Sequence, residues 1–184
     1  MLKSRKDVYV FVITNQAGVA LQDIENDEDF DLLTEKRVNE VNEEIIQLLK
    51  KEGAFVDGIL VCPYVDTKYA KKAMEKGRHV NPDYVKDNCS DLKPRIGLLE
   101  KAAAKISISL LNCRVYFIGD RFSDVQMGLN ANGQGHLVTG WKTKQIGDEN
   151  KVRELMKQLP KKVFIHDSFL DAARTILKDY TQKQ

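Results

Sequence analysis

Two acidic residues follow an apolar segment near the middle of the chain, and their spacing suits a metal or phosphate site. Residues 115–118 are apolar, Gly119 and Asp120 come next, and a second acid, Asp124, lies four positions later. A buried parallel strand has a continuous apolar sequence, and ligands of open α/β sheets bind beyond the carboxyl ends of such strands. Carboxylate oxygens there suit Mg²⁺, which takes oxygen ligands and leaves room for a phosphate. The alternative is a strand end followed by an acidic helix cap.

Polar side chains also follow the first apolar segment, residues 8–13. Thr14, Asn15 and Gln16 come directly after it and supply a hydroxyl and two amides. Together with the backbone N–H groups that follow, such side chains at a strand-to-helix turn can hold a phosphate oxyanion. The alternative is a turn that is merely rich in hydrogen-bonding residues.

Two basic residues are candidates for contact with that phosphate. Lys93 precedes Pro94, which favours an extended backbone at the lysine, and a positioned ammonium would stabilise a transferring phosphate. Taken alone, Lys93 is one of 29 basic residues, so an ordinary surface lysine is the alternative. Arg121 adjoins Asp120 and is the other cation placed to touch phosphate.

Composition narrows the class of protein. The 184 residues suit a single domain that spans 1–184. A net charge of +2 argues against a nucleic-acid or membrane surface as partner. Three cysteines form no disulfide framework, and the apolar run 8–13 is too short for a signal peptide or a membrane span. We therefore expect a cytoplasmic protein without a membrane partner.

Apolar patterns along the chain predict strands that alternate with helices. The predicted strands are 8–13, 59–61, 115–118, 136–139 and 163–165, and the predicted helices are 30–51, 96–105, 125–132, 151–158 and 169–177. Residues 66–93 are polar and rich in lysine, which predicts a loop-like or cap-like excursion with one short helix. The alternation predicts an α/β fold, with a parallel sheet and helices on both of its faces.

The order of these segments resembles the haloacid dehalogenase superfamily, and in particular its histidinol-phosphate and heptose-bisphosphate phosphatase branch. Three segments carry the resemblance: Thr-Asn-Gln-Ala-Gly-Val-Ala at 14–20, Leu-Lys-Pro-Arg-Ile-Gly at 92–97 and Gly-Asp-Arg-Phe-Ser-Asp at 119–124. They are similar to that branch's Thr-Asn-Gln-Ser-Gly-Ile-Ala, Arg-Lys-Pro-x-x-Gly and Gly-Asp-x-x-x-Asp motifs. Leucine at 92 and Leu-Gln at 21–22 depart from the branch, which weakens any prediction of its particular substrates.

The resemblance implies a three-layer, Rossmann-like fold and Mg²⁺-dependent hydrolysis of a small phosphorylated metabolite, such as a sugar phosphate. It implies that Thr14 and Asn15 hold the phosphate in the catalytic site and that Lys93 screens its charge. It further implies that Asp120 ligates Mg²⁺ and that Asp124 supports the metal site or joins it.

The family's nucleophile has no counterpart in this sequence. It is the first aspartate of an Asp-x-Asp motif on the central strand, and the second aspartate is the general acid and base. The only acid before Thr14 is Asp7, at the start of the predicted strand and about 20 Å from its catalytic end. We therefore expect the nucleophile strand to be missing, with an upstream segment or self-association completing the sheet.

Two further functions stay open. One is a non-catalytic relative that keeps a phosphate or metal site. The other is a polynucleotide 3′-phosphatase, since the phosphatase half of polynucleotide kinases shares a Thr-Asn-Gln element, although the near-neutral charge argues against it.

A zinc loop is a feature of the heptose-bisphosphate branch, and it is only partly present here. Cys62 and Cys89 match two of its cysteines, while its histidine and its other cysteine are replaced. Asp91 or His79 would have to complete a tetrahedral Zn²⁺ site, so we favour two unliganded thiols.

Overall fold

A computed structural model of the chain describes residues 7–22 and 33–182. These residues form two compact units, which divide between Leu92 and Lys93. Over the ranges described, every helix is too short or too polar to cross a membrane. The single domain over 1–184 and the cap-like role of residues 66–93 stay predictions.

The first unit contains two small sheets and two helices. Its strands are β1 (Phe11–Asn15), β2 (Leu21–Gln22), β3 (Gly58–Cys62) and β4 (His79–Val80), and its helices are α1 (Glu35–Lys51) and α2 (Thr67–Met74). β1 and β3 are parallel, whereas β2 and β4 are antiparallel. Thr34 and Asp66 cap the two helices by accepting hydrogen bonds from backbone N–H groups of the first turns. The 66–93 excursion therefore carries the predicted short helix and also a strand that the sequence did not predict.

β1 begins three residues later than predicted and extends two residues further. Before Phe11, the Val10 N–H donates to Asp57 Oδ2 over 2.7 Å, and the Asp57 N–H donates to the Val10 carbonyl over 2.7 Å. A loop carboxylate thus replaces the strand partner, because β3 begins only at Gly58. As a consequence, Thr14 and Asn15 are the last residues of the strand rather than the turn after it.

α1 is shorter than predicted, and its apolar face is mostly exposed. The helix begins at Glu35, and position 30 of the predicted segment lies outside the described residues. Apolar residues recur along one side of this helix, which predicts a buried face; of its described members only Val38 is buried, while Val41, Ile45 and Leu48 are exposed.

The second unit contains one parallel sheet and five helices. Its strands, in spatial order, are β5 (Tyr116–Gly119), β6 (Gln134–Val138) and β7 (Val163–His166). Its helices are α3 (Gly97–Lys105), α4 (Phe122–Asn130), α5 (Trp141–Gln145), α6 (Asp148–Gln158) and α7 (Phe169–Gln182).

Helices cover both faces of this sheet. On one face, side chains from α4, α6 and the strands form a fully buried cluster, namely Val125, Leu137, Val152 and Val163. On the other face, the hydroxyl of Tyr116 donates to Asp179 of α7 over 2.7 Å. The predicted three-layer α/β arrangement is therefore confirmed in this unit.

Three helix predictions in the second unit are corrected. α4 begins at Phe122 rather than at 125, because the Asp124 side chain accepts from the Arg121 N–H and so caps the helix at that point. α5 forms in residues for which the sequence predicts no helix, and it turns Thr143 inward while Trp141 stays exposed. α7 continues beyond its predicted end to Gln182, and Ser168 Oγ accepts from the Asp171 N–H at its start.

Candidate functional site

The loop between β5 and α4 carries the two predicted acids in different environments. Asp120 follows β5 directly and is exposed, whereas Asp124 lies in the first turn of α4 and is buried. The Arg121 N–H donates to Asp124 Oδ2 over 3.0 Å. A carboxylate at a helix N-terminus satisfies an otherwise unpaired N–H group and is favoured by the helix dipole. Asp124 is thus a helix cap, while Asp120 presents its carboxylate to solvent.

Asp124 also forms an ion pair with Lys93, the lysine that the sequence indicates as a phosphate contact. Lys93 Nζ lies 2.7 Å from Asp124 Oδ1, and the two side chains are only 12% and 3% exposed. Asn130 of α4 donates to the Pro94 carbonyl over 2.9 Å, which ties the same segment to the helix. Asp124 Oδ2 thus accepts a hydrogen bond, whereas Oδ1 forms an ion pair with Lys93 but has no hydrogen-bond partner among the described residues. The residue is arranged to orient Lys93, and its part in a metal site stays a prediction.

Gly119 is the residue that allows this arrangement. A Cβ atom at position 119 would lie 2.2 Å from Asp124 Oδ2 and 2.4 Å from Asp124 Cβ, closer than such atoms approach in proteins. Only glycine lets the carboxylate fold back over the end of β5. The five-residue spacing between Gly119 and Asp124 is thus explained by contact between them.

Two residues that the sequence did not indicate hold the loop from outside. Asp148 is buried at the start of α6, and its Oδ2 accepts from Arg121 Nε and from the Phe122 N–H, both over 3.1 Å. The buried Thr143 hydroxyl of α5 donates to the Asp120 carbonyl over 2.9 Å. Neither residue lies in a motif, and Asp148 precedes the predicted start of its helix. No local pattern could have found them.

The electrostatics of Asp148 reflect these contacts. Burial acts to raise the pKa of its carboxyl, but hydrogen bonds from the Phe122 N–H, Arg121 and Lys151 outweigh burial. The pKa of Asp148 therefore lies below its usual value, and the residue is a carboxylate at neutral pH. Lys151 Nζ lies 3.1 Å from its other oxygen.

The predicted phosphate-binding residues of the first unit lie together at the carboxyl end of β1. Thr14 and Asn15 are half-buried and stand opposite Val61 and Cys62 of β3. The Gln16 N–H donates to the Cys62 carbonyl over 2.8 Å, which extends the pairing by one residue. The catalytic and phosphate-binding roles of these residues stay predictions.

Cys62 and Cys89 form a close thiol pair. Their sulfur atoms are 4.0 Å apart, and burial raises the pKa of the Cys62 thiol to about 12. Within residues 7–22 and 33–182, no three side chains of the metal-binding types are grouped to hold an ion. Two thiols alone do not make a tetrahedral site, and the preference for two unliganded thiols over a zinc site stays a prediction.

Two histidines of neighbouring strands, His136 and His166, make structural hydrogen bonds. His136 Nδ1 and His166 Nε2 are 3.0 Å apart, and His136 Nε2 is 3.3 Å from Gln134 Oε1. Burial first, and His166 second, lower the pKa of His136 to about 4. His136 is therefore neutral at physiological pH.

Comparison with known proteins places these motifs in a family. Residues 93–172, which include Lys93, Asp120 and Asp124, match the family described as HAD-hydrolase-like. The D-glycero-beta-D-manno-heptose-1,7-bisphosphate 7-phosphatase of Mesorhizobium japonicum is 30% identical over 145 residues, which are 78% of this chain and 56% of that protein. The histidine biosynthesis bifunctional protein HisB of Blochmanniella floridana is 28% identical over 134 residues, which are 73% of this chain and 29% of that protein. The chain thus spans between about a third and just over half of these two relatives.

Solved structures agree with this assignment. The D,D-heptose 1,7-bisphosphate phosphatase of B. bronchiseptica, complexed with magnesium and phosphate, superimposes with a TM-score of 0.58 at 23% identity, over 93% of this chain and 75% of that one. A putative HAD-like phosphatase from Mesorhizobium loti gives a TM-score of 0.53 at 30% identity, over 72% of this chain and 53% of that one.

Residues 93–172 thus match the haloacid dehalogenase superfamily, and the chain has the Rossmann-like fold of its phosphatases. Within that superfamily, its relatives lie in the heptose-bisphosphate and histidinol-phosphate phosphatase branch, which confirms the resemblance carried by the three motifs.

Proposed function

We propose that the chain belongs to a Mg²⁺-dependent phosphatase that hydrolyses the phosphomonoester of a small metabolite, such as a sugar phosphate. The observation that carries the proposal is the buried Lys93–Asp124 pair, whose acid lies in the first turn of α4, four residues after the exposed Asp120. An oriented ammonium and an accessible carboxylate are the groups that phosphate and Mg²⁺ require. The names of its relatives support a sugar-phosphate substrate.

The residues of the second unit fit a magnesium site of the phosphatase type. Mg²⁺ is held in such sites by one or two carboxylates, with substrate phosphate and water as its other ligands. Asp120 would be a protein ligand because its carboxylate is exposed, and Asp124 would support the site by orienting Lys93 or would join it. Mg²⁺ would neutralise charge on the phosphate when bound. The magnesium and phosphate in the B. bronchiseptica enzyme support this choice of ion.

Phosphate binding in the proposal uses basic and polar side chains. Lys93 would neutralise the phosphate, and Arg121 would add a planar, two-pronged donor. Thr14, Asn15 and Gln16 would supply a hydroxyl and two amides, as the resemblance implies. Because β1 has the sequence Phe-Val-Ile-Thr-Asn and carries no acid, complete turnover also needs a nucleophilic aspartate from beyond these residues.

The experiment that tests the proposal compares Asp120 with a matched acid. Asp167 is also exposed and also follows a parallel strand directly, β7, which makes Asp167→Asn the control for Asp120→Asn. Mg²⁺ binding is measured by calorimetry, and phosphate release is measured from a panel of sugar phosphates, with wild type and both variants expressed in the native host. We expect Asp120→Asn to abolish Mg²⁺ binding and to reduce release by about 10²–10³-fold. Retained Mg²⁺ binding in this variant contradicts the assignment.

The non-catalytic alternative is favoured by one observation, the absence of an acid from β1. It predicts Mg²⁺ and phosphate binding that depend on Asp120, but no phosphate release at any protein concentration. An oligonucleotide 3′-phosphate in the substrate panel separates both functions from a polynucleotide 3′-phosphatase, which would prefer that substrate.

A further inference from the structure

We propose that Asp148 is a positioning residue that pre-orients Arg121 for an anionic group of the substrate. This inference rests on the proposed function, and it assigns a role to a residue that lies in none of the three motifs. Asp148 is on α6, whereas Arg121 and Asp120 are on the loop from β5 to α4, so the contact joins two elements that are distant in sequence.

The contacts of Asp148 fix the arginine and its backbone together. One carboxylate oxygen, Oδ2, receives both Arg121 Nε and the Phe122 N–H, each over 3.1 Å. The same atom therefore holds the side chain of Arg121 and the peptide that follows it. Because the carboxylate is itself buried, its position is set by packing rather than by solvent.

The exposed part of Arg121 is the part that can bind an anion. Its side chain is 45% exposed even though Nε is bonded to Asp148. An arginine held at Nε keeps its terminal nitrogens for a ligand, and these match a phosphate or carboxylate with two parallel hydrogen bonds. Lys151 Nζ lies 3.1 Å from Asp148 Oδ1. Two cations, Arg121 and Lys151, thus surround one carboxylate, and the three side chains together carry a net positive charge.

A second contact fixes the backbone of Asp120, the residue before this arginine. The Thr143 hydroxyl donates to the Asp120 carbonyl over 2.9 Å from α5. The peptides on either side of Arg121 are thus held by α5 and by α6. An arginine that is ordered before binding loses less conformational entropy when it binds, which is how Asp148 would act on affinity.

The test measures binding of inorganic phosphate in the presence of Mg²⁺ to wild type, Asp148→Asn and the matched control Glu149→Gln. Glu149 is the next residue of α6 and pairs with Arg153 on its own helix, so its loss also removes an acid from the first turn. We expect Asp148→Asn to raise the phosphate Kd by about threefold to tenfold, while Glu149→Gln leaves it unchanged. Equal affinities of Asp148→Asn and wild type overturn the inference.

A variant on the other side of the contact does not depend on the folding of α6. Arg121→Lys keeps the positive charge of a largely solvent-facing side chain but loses the planar fork, and it should weaken phosphate binding as Asp148→Asn does. In an Arg121→Met background, Asp148→Asn should have no further effect, because Asp148 acts through the arginine. A full additional loss in the double variant shows a merely structural role and overturns the inference.

The same data separate this inference from the proposed function. A wild-type protein that binds neither Mg²⁺ nor phosphate overturns both. A wild-type protein that binds them with an affinity indifferent to Asp148 and to Arg121→Lys overturns the positioning role alone.

Discussion

Removing the charge of Asp124 should strongly destabilise the second unit. The Lys93–Asp124 pair joins atoms 2.7 Å apart, and its side chains are 12% and 3% exposed, so neither ion is well solvated. In Asp124→Asn the amide oxygen can still accept from the Arg121 N–H, and the helix cap is largely kept. What remains is a buried lysine without its counter-ion, and breaking a buried pair in this way costs about 3–5 kcal/mol.

The assays are thermal unfolding and urea unfolding, each followed by circular dichroism. For a chain of this size, a loss of that magnitude should lower Tm by about 6–20 °C and should lower the urea midpoint without changing the slope. A double-mutant cycle with Lys93→Met isolates the pair, and its coupling energy should be about 1–3 kcal/mol. The exposed pair between Glu154 and Lys157 is the control, because Glu154→Gln should cost less than about 1 kcal/mol.

Two results would refute this reasoning. The first is an Asp124→Asn variant within about 0.5 kcal/mol of wild type, which would mean that the lysine finds solvent easily. The second is a coupling energy below about 0.5 kcal/mol, which would mean that Asp124 stabilises the fold through its cap and not through Lys93.

Two further predictions concern the same unit. Gly119→Ala places a methyl group 2.2 Å from Asp124 Oδ2 and should cost about 1–3 kcal/mol in thermal unfolding, whereas Gly140→Ala, which meets nothing within 4 Å, should be neutral. Burial and a neighbouring histidine lower the pKa of His136 to about 4, below its unfolded value, so the unfolded state binds the extra proton as pH falls. Stability should therefore fall from about pH 6.5 towards pH 4, by on the order of 3 kcal/mol. In His136→Phe, the free energy of unfolding should change less between pH 6.5 and pH 4 than in wild type. An unchanged pH dependence, or an equal reduction in His79→Phe, where the histidine is exposed, would contradict the assignment of this effect to His136.

The three motifs and the alternation of strands and helices could be predicted from the sequence because they depend on neighbouring residues. A run of apolar residues that ends in Gly119 and Asp120 indicates a buried strand and the acid beyond it, and the structure has β5 in that place. The α/β class and the superfamily followed from such local signals in their order.

Element boundaries were predicted less well because they depend on distant partners. The start of β1 is set by Asp57, 47 residues from Val10, and no pattern near residue 8 reports that contact. The prediction of a buried face on α1 was mostly wrong for the same reason. Periodicity indicates which face of a helix is apolar, but not whether other elements cover that face.

The residue types at the strand ends, and the family resemblance that they carry, depend on neighbouring residues alone. The different roles of the two acids depend on tertiary contacts. Asp124 turns inward to Lys93, 31 positions earlier, and Asp120 stays exposed. The hydrogen bond between Arg121 and Asp148, which are 27 positions apart, depends on tertiary structure in the same way. Ion pairs and hydrogen bonds of this kind form where the register of a parallel sheet brings separate loops to one edge, and that register depends on the whole chain.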